Sequence, residues 1–173
     1  RRVIRTKRSG IRQTIEVTSY AEVVLAAPAS DTIQPAFSNL CVQTEILPLQ
    51  HAIICTRRPR SAEDQLPYMF HLMTMQGKES EEISYETDRM EFIGRGNSRV
   101  NPKAMRNAGP LGGSQGSVLD PIVAIRYKLT IDPFEKVTID LIIGVAETKT
   151  ICESLIGKYQ DKNHKDRVFE LAW

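Results

Sequence analysis

Aromatic side chains are scarce in this chain: they make up 6% of its 173 residues, with a single Trp. A function that needs a row of exposed aromatic rings has little to draw on. Apolar runs are short, none approaching the roughly 20 residues that cross a bilayer, so membrane contact by this segment is not expected. Cysteine is limited to Cys41, Cys55 and Cys152. With no C-x-x-C pair and no zinc-finger spacing, a thioredoxin-like redox motif and a structural zinc site are both excluded. Each Cys lies in an apolar context and reads as a small buried hydrophobe of a reducing compartment. His51, His71 and His164 make no paired metal-binding helix face, so no metal ligand set is assigned. An excess of one charge is also missing. Twenty-three Lys+Arg against 21 Asp+Glu leave a net +2, too balanced to indicate a nucleic-acid partner. No signal peptide is visible, and the chain opens Arg1-Arg2 rather than with Met, which suggests a piece of a longer polypeptide.

What is present is apolar alternation of period two, the mark of half-buried strands. It is clearest at Val123, Ile125, Tyr127, Leu129 and Ile131, and again at Val137, Ile139, Leu141, Ile143 and Val145. The Pro133-Phe134-Glu135-Lys136 turn between these runs predicts an antiparallel hairpin with its apolar sides on a common face. Further strands are predicted at 11–18, 20–27, 51–57, 68–75 and 82–93. The Met69, Met73, Met75 stripe reads as core filling. The period then changes: Ile151, Leu155, Ile156 and Tyr159 share a helical face. Thr150 with Glu153 fits a capping box there, and Thr148 competes as N-cap. The fold class predicted is mainly β, an antiparallel β-sandwich with a C-terminal α-helix, divided into a sandwich over 1–147 and a helical segment over 148–173.

The irregular stretch 94–117, rich in Gly, Asn and Pro, exceeds the roughly 12–15 residues of an ordinary loop and marks a working surface. Within it, Gly112-Gly113-Ser114-Gln115-Gly116 has the letters of a nucleophile elbow. An elbow needs a strand before the Ser and a helix after it, and the flanking residues read as loop and strand, which argues against a serine hydrolase. Gly94-Arg95-Gly96 lacks the later Gly and the helix of a phosphate loop, and reads as a turn leaving the strand 82–93. Glu82, Glu86 and Asp88 fall on one strand face by parity, where they read as a solvated face rather than a pair of glycosidase carboxylates. The basic opening (Arg1, Arg2, Arg5, Lys7, Arg8, Arg12) lacks interleaved aromatics and reads as a solvated edge or an interface. No catalytic residue is assigned.

Several segments taken in order resemble the β-sandwich of glycoside hydrolase family 94, formerly glycosyltransferase family 36, as found in cyclic β-1,2-glucan synthases and 1,2-β-oligoglucan phosphorylases. They are Ser19-Tyr20-Ala21-Glu22-Val23-Val24-Leu25, Pro35-Ala36-Phe37-Ser38-Asn39-Leu40, Arg57-Arg58-Pro59-Arg60, Glu86-Thr87-Asp88-Arg89 with Phe92-Ile93-Gly94-Arg95-Gly96, Val118-Leu119-Asp120-Pro121-Ile122, and Phe169 to Trp173. Asn97-Ser98-Arg99 and the middle of the Gly112–Gly116 loop depart from the family pattern.

The resemblance implies that the chain is part of a supersandwich, non-catalytic, leading through the helix at 148–160 toward an (α/α)6 catalytic barrel of the same parent. It implies no cofactor in this segment, the parent using UDP-glucose or inorganic phosphate as substrates. The expected partners are that barrel and β-glucan, with no nucleic acid. The expected location is a cytoplasmic-facing domain of an inner-membrane parent, in the synthase case. The family's sandwich begins further upstream, so strands that should pair near 11–27 are expected to be missing, leaving an edge open to homodimer formation. Asp88, Arg89, Arg95 and Arg99 are the expected sugar-binding or interface residues, since planar Arg and carboxylate groups match hydroxyl edges; the alternative for Asp88 and Arg89 is that they only pin the loop. The rival readings are an independent carbohydrate-binding module and a hydrolase with Ser114 as nucleophile.

Overall fold

The computed structural model describes every residue except 27, 60, 62, 63, 65, 172 and 173. In chain order its strands are β1 (Arg2–Thr6), β2 (Gln13–Thr18), β3 (Ala21–Glu22), β4 (Val42–Leu47), β5 (Ala52–Arg57), β6 (Tyr68–Gln76), β7 (Glu82–Asp88), β8 (Pro121–Ile131) and β9 (Lys136–Ala146). Two antiparallel sheets pack face to face, as the alternation predicts. The larger runs β1-β9-β6-β5-β4. In the smaller, β8 is central, with β2 and β3 along one edge and β7 along the other.

Odd-numbered residues of β6 and β8 and those of β9 up to Leu141 face inward. Met69, Met73, Ile53, Val137 and Ile139 of the large sheet meet Ile125, Tyr127, Leu129 and Ile131 of the small one. The Met stripe is core filling, as expected. Each sheet also buries its other face. Phe70, Leu72 and Ile54 pack under helix α5 (Lys149–Gln160) through Cys152 and Ile156. On the small sheet, Ile122 and Ala124 lie under Phe92, Ile93 and Leu111. Cys55 and Cys152 are buried free thiols, and Cys41 is partly covered.

Three polar ties cross the interior between the sheets. His71 Nε2 lies 2.8 Å from Ser19 Oγ. The Thr44 and Thr87 hydroxyls stand 2.7 Å apart. The Tyr127 hydroxyl donates to the Met73 carbonyl and approaches His51 Nδ1 at 3.0 Å.

The predicted hairpin is not a hairpin. β8 and β9 belong to different sheets, and residues 132–135 carry the chain across as an arch. Both edges of β9 are taken by β1 and β6, while β8 is paired by β2, β3 and β7. The apolar sides meet across the core instead of lying side by side. Phe134, at φ 62, turns the arch. Lys78 Nζ ties it down by contacts of 3.0 Å to Asp132 and 3.1 Å to Glu135.

Other expectations need correction as well. The strand predicted at 20–27 reaches only Glu22, with short helices α1 (Pro28–Ile33) and α2 (Pro35–Asn39) following. The one predicted at 82–93 ends at Asp88 and continues as helix α3 (Arg89–Ile93), so Gly94-Arg95-Gly96 leaves a helix rather than a strand. The stretch 94–117 contains helix α4 (Lys103–Arg106). β2 and β3 are paired with β8, not orphaned; their opposite edge has no strand partner among the described residues.

α5 forms where the change of period places it, and Thr148, not Thr150, is its N-cap, accepting from Ile151 N at 3.2 Å. Thr148→Ala is expected to lower stability by about 1 kcal/mol in urea unfolding, while Thr150→Ala changes it little. A second helix, α6 (Lys162–Leu171), was not anticipated. It sets Phe169 against the Arg2 guanidinium, 4.6 Å from ring centroid to Cζ. Arg60 and the Ala172-Trp173 end of the family-like segments lie outside the described residues. Among the described residues no helix is long and apolar enough to cross a membrane.

Candidate functional site

The layer covering the small sheet contains the residues singled out from the sequence. Its foundation is the end of β7, where the pairing with β8 shifts register between Glu86 and Asp88. Glu82 and Glu86 keep the shared face expected of them, opposite Lys128 and Ala124, and the shift takes only Asp88 out of the pattern. Glu82 stays near the surface opposite Lys128, at 3.8 Å, whereas Glu86 is 1% exposed. Its Oε1 accepts from the backbone N–H groups of Thr87 and Asp88, both at 2.9 Å.

Asp88 turns back into its own chain. Its Oδ1 accepts from Met90 N at 2.7 Å and caps α3. Gly94 ends that helix at φ 81, and a Cβ there would stand 2.8 Å from Lys103 Cβ, so α3 and α4 approach closely only through glycine.

Above α3 lies a charged rim. Arg89 contacts Glu22 and Asp120, each at 3.4 Å, and Arg99 reaches the other Glu22 oxygen at 3.6 Å. The Tyr20 hydroxyl donates to Glu22 at 3.1 Å, and Asn39 Nδ2 donates to Asp120 at 3.1 Å. Burial, and then the Glu22 carboxylate, hold the Tyr20 phenol above its usual value. Of the four expected residues, the structure brings Arg89 and Arg99 together on Glu22 and uses Asp88 as a helix cap. Arg95 is exposed, and its side chain makes no hydrogen bond or ion pair among the described residues. Such exposed pairs contribute little to stability, with a median of about 0–1 kcal/mol, so their arginines remain free to exchange partners.

Beneath the rim sits a feature that parity reasoning missed. Arg126, 3% exposed on β8, staples the loop to the sheet. It donates to Thr18 Oγ1 at 2.9 Å and to the carbonyls of Gly109 and Ala104 at 2.6 Å each. Glu16 pairs with it at 3.5 Å and accepts from Gly109 N at 3.2 Å. Next to Arg126 is a cavity of about 190 Å³, bordered by Glu86, Lys103, Ala108, Leu111 and Gly112.

The Gly112–Gly116 run is an extended connector, not an elbow. Gly113 N donates to Tyr85 O at 2.9 Å, the Ser114 carbonyl accepts from Thr87 Oγ1 at 2.8 Å, and Gly116 bridges to Thr44 of β4. Among the described residues no group of three His, Cys, Asp or Glu side chains is placed to hold a metal ion.

A second surface lies at the mouth of the sandwich, where the small sheet stops short of the large one. A groove of about 830 Å³ opens there between Val24, Leu25, Ile33, Phe37, Arg57 and Val145. Ile33, Phe37 and Val145 are exposed large apolar side chains at or above half accessibility.

Comparison with known proteins matches residues 1–162 to the family described as glycosyl hydrolase 94, supersandwich domain. The chain is also 31% identical, over all 173 of its residues, to the cyclic beta-(1,2)-glucan synthase NdvB of Rhizobium meliloti (strain 1021). It spans 6% of the length of that relative.

Proposed function

Because the chain belongs to the glycosyl hydrolase 94 supersandwich family, we propose that it is a non-catalytic unit of a larger β-1,2-glucan-handling enzyme, supporting the catalytic part and touching glucan at its rim. The observation that carries this reading is the 31% identity to a glucan synthase along the whole chain. Two structural features support it. The apolar groove at the sandwich mouth is the kind of exposed patch that marks a protein–protein contact, and a catalytic barrel of the same parent is its proposed occupant. Among the described residues Arg95 is an unengaged cation and Arg99 is held by one ion pair at 3.6 Å, so both have N–H donors to offer to sugar hydroxyls.

The test is kinetic, in the full-length enzyme. Arg95→Ala combined with Arg99→Ala is expected to raise KM for oligoglucan roughly tenfold, in line with about 1.5 kcal/mol for a lost charge-assisted hydrogen bond. The rate constant kcat should hold. Unchanged KM and kcat would refute the sugar contact and leave the scaffold role alone.

A further inference from the structure

The Glu86 carboxyl group is half used. Its Oε1 takes two backbone N–H groups, and its Oε2, fully buried, has no hydrogen-bond partner among the described residues. A buried polar oxygen left unsatisfied is costly and rare. The shifted end of β7 uses only Oε1, and Ala124, opposite on β8, has no side-chain donor for the second oxygen. Glu86 borders the 190 Å³ cavity, and Oε2 faces Gly112, another residue of its wall. A Cβ on Gly112 would lie 2.6 Å from Oε2. The Gly112 backbone therefore lies directly over the oxygen, closer than a residue with a side chain could come, and closes it off.

We propose that this cavity is a binding site for a neutral polyhydroxyl ligand of about one hexose ring, with Glu86 Oε2 accepting a hydroxyl hydrogen. Charge decides against a cation. Arg126 and Lys103 stand in the wall against Glu86 and Glu91, so the lining carries no net negative charge to draw an ammonium group or a metal ion. Shape and polarity favour a sugar over an anion or a purely apolar molecule. Phe92, Ala104, Pro110 and Leu111 present apolar surface for ring C–H faces, while Glu86 offers the acceptor. The volume of about 190 Å³ corresponds to about six water molecules, below the range of drug-sized pockets at roughly 300–1,000 Å³. Oε2 is reached when the segment 107–113 moves outward. Gly109 and Gly113, at φ 116 and 76, turn the backbone within that segment, and its opening breaks the bonds of Gly109 to Arg126 and Glu16 and of Gly113 to Tyr85.

The choice of glucose as probe rests on the glucan reading above; the hydroxyl-accepting pocket does not. The 173-residue chain, labelled with nitrogen-15, is titrated with glucose and with a β-1,2-linked glucose disaccharide. Saturable amide shifts at Thr87, Asp88 and Gly112 are expected, with a dissociation constant on the order of 1 mM. Glu86→Gln, which places an amide where the free acceptor stands, is expected to weaken binding at least tenfold. Ala108 is exposed at the cavity wall, so Ala108→Trp should block binding while leaving the thermal melt unchanged, even if Glu86→Gln impairs folding. Absence of saturable shifts at Gly112, or equal binding by Ala108→Trp, overturns the proposal. Shifts confined to Arg95 and Arg99 with the disaccharide would overturn the pocket and sustain the rim. Silence at both places would sink both readings.

Discussion

Acidification from pH 7 to pH 4 is expected to remove about 3 kcal/mol of stability through His71 alone. This imidazole sits between the sheets with the Ser19 hydroxyl as its partner at 2.8 Å. Burial pushes it down to about 4, against a smaller upward pull from the Ile142 backbone. In the folded chain it stays neutral until about pH 4, whereas the unfolded chain takes up the proton near 6.5. Between those values the unfolded state binds more protons, so stability rises with pH. The contribution is complete above about pH 6.5 and is lost on the way down to about pH 4. His51, also lowered by burial, acts in the same direction. The arch carboxylates act further down: Lys78 holds Asp132 below its usual value, and the Asp132 backbone and Lys78 do the same for Glu135. Urea unfolding at pH 7, 5.5 and 4.5 measures the slope, and His71→Gln should flatten most of it. A wild-type profile already flat over that window would show that the imidazole is hydrated.

Asp140→Asn is expected to cost about 3 kcal/mol, the loss typical of breaking a buried ion pair from one side. Asp140 is 1% exposed and organises four elements. Arg2 of β1 donates to it twice, at 2.7 and 3.0 Å, and Gln76 of β6 once at 3.0 Å. Lys165 of α6, itself 3% exposed, stands 3.8 Å away and donates to Thr74 Oγ1 at 2.6 Å. Burial lowers the Lys165 ammonium below its usual value even with Asp140 present. Removing the carboxylate leaves the Lys165 ammonium buried beside Arg2, which keeps only Asp166 as a partner at 2.7 Å. Denaturant unfolding gives the size of the loss, and hydrogen exchange should show α6 losing protection first. Adding Lys165→Met should restore part of the stability by removing the stranded charge. A loss below 1 kcal/mol would mean that the cluster is already solvated.

How much of this was legible beforehand depends on what alternation encodes. It reports which residues face an apolar surface, and so it located β5, β6, β8 and β9 and the core side of each. It does not report whether that surface belongs to the neighbouring strand or to the opposite sheet. A hairpin and an arch at residues 132–135 require the same pattern, and only the occupation of the strand edges separates them. Parity put Glu86 on the face of Glu82, but residue types do not show that Phe92, Ile93 and Leu111 cover that face at the Glu86 end. The rim was half visible. Arg89 and Arg99 were found, but their meeting point, Glu22, comes from β3, far away in sequence. Glu22 and Asp120 both lie within the family-like segments, which was the one available signal. α6 was hidden because the charged run 161–167 has no apolar stripe; ion pairs and the Phe169–Arg2 contact hold it instead.

The crossing at residues 132–135 has a counterpart at the other end of the sequence. β1 lies on β9 and β2 lies on β8, so residues 7–12 also pass from sheet to sheet, at the same end of the sandwich. The two crossings are laced together: Lys7 N donates to Glu135 O at 2.9 Å, and Arg12 pairs with Asp132 at 3.2 Å. The first 18 residues thus act as a clasp closing one flank of both sheets at once. Proteolytic removal of this clasp would bare long hydrophobic margins on β8 and β9 together, the template on which chains aggregate. The short basic opening that reads as a solvated edge in the sequence is what covers those margins.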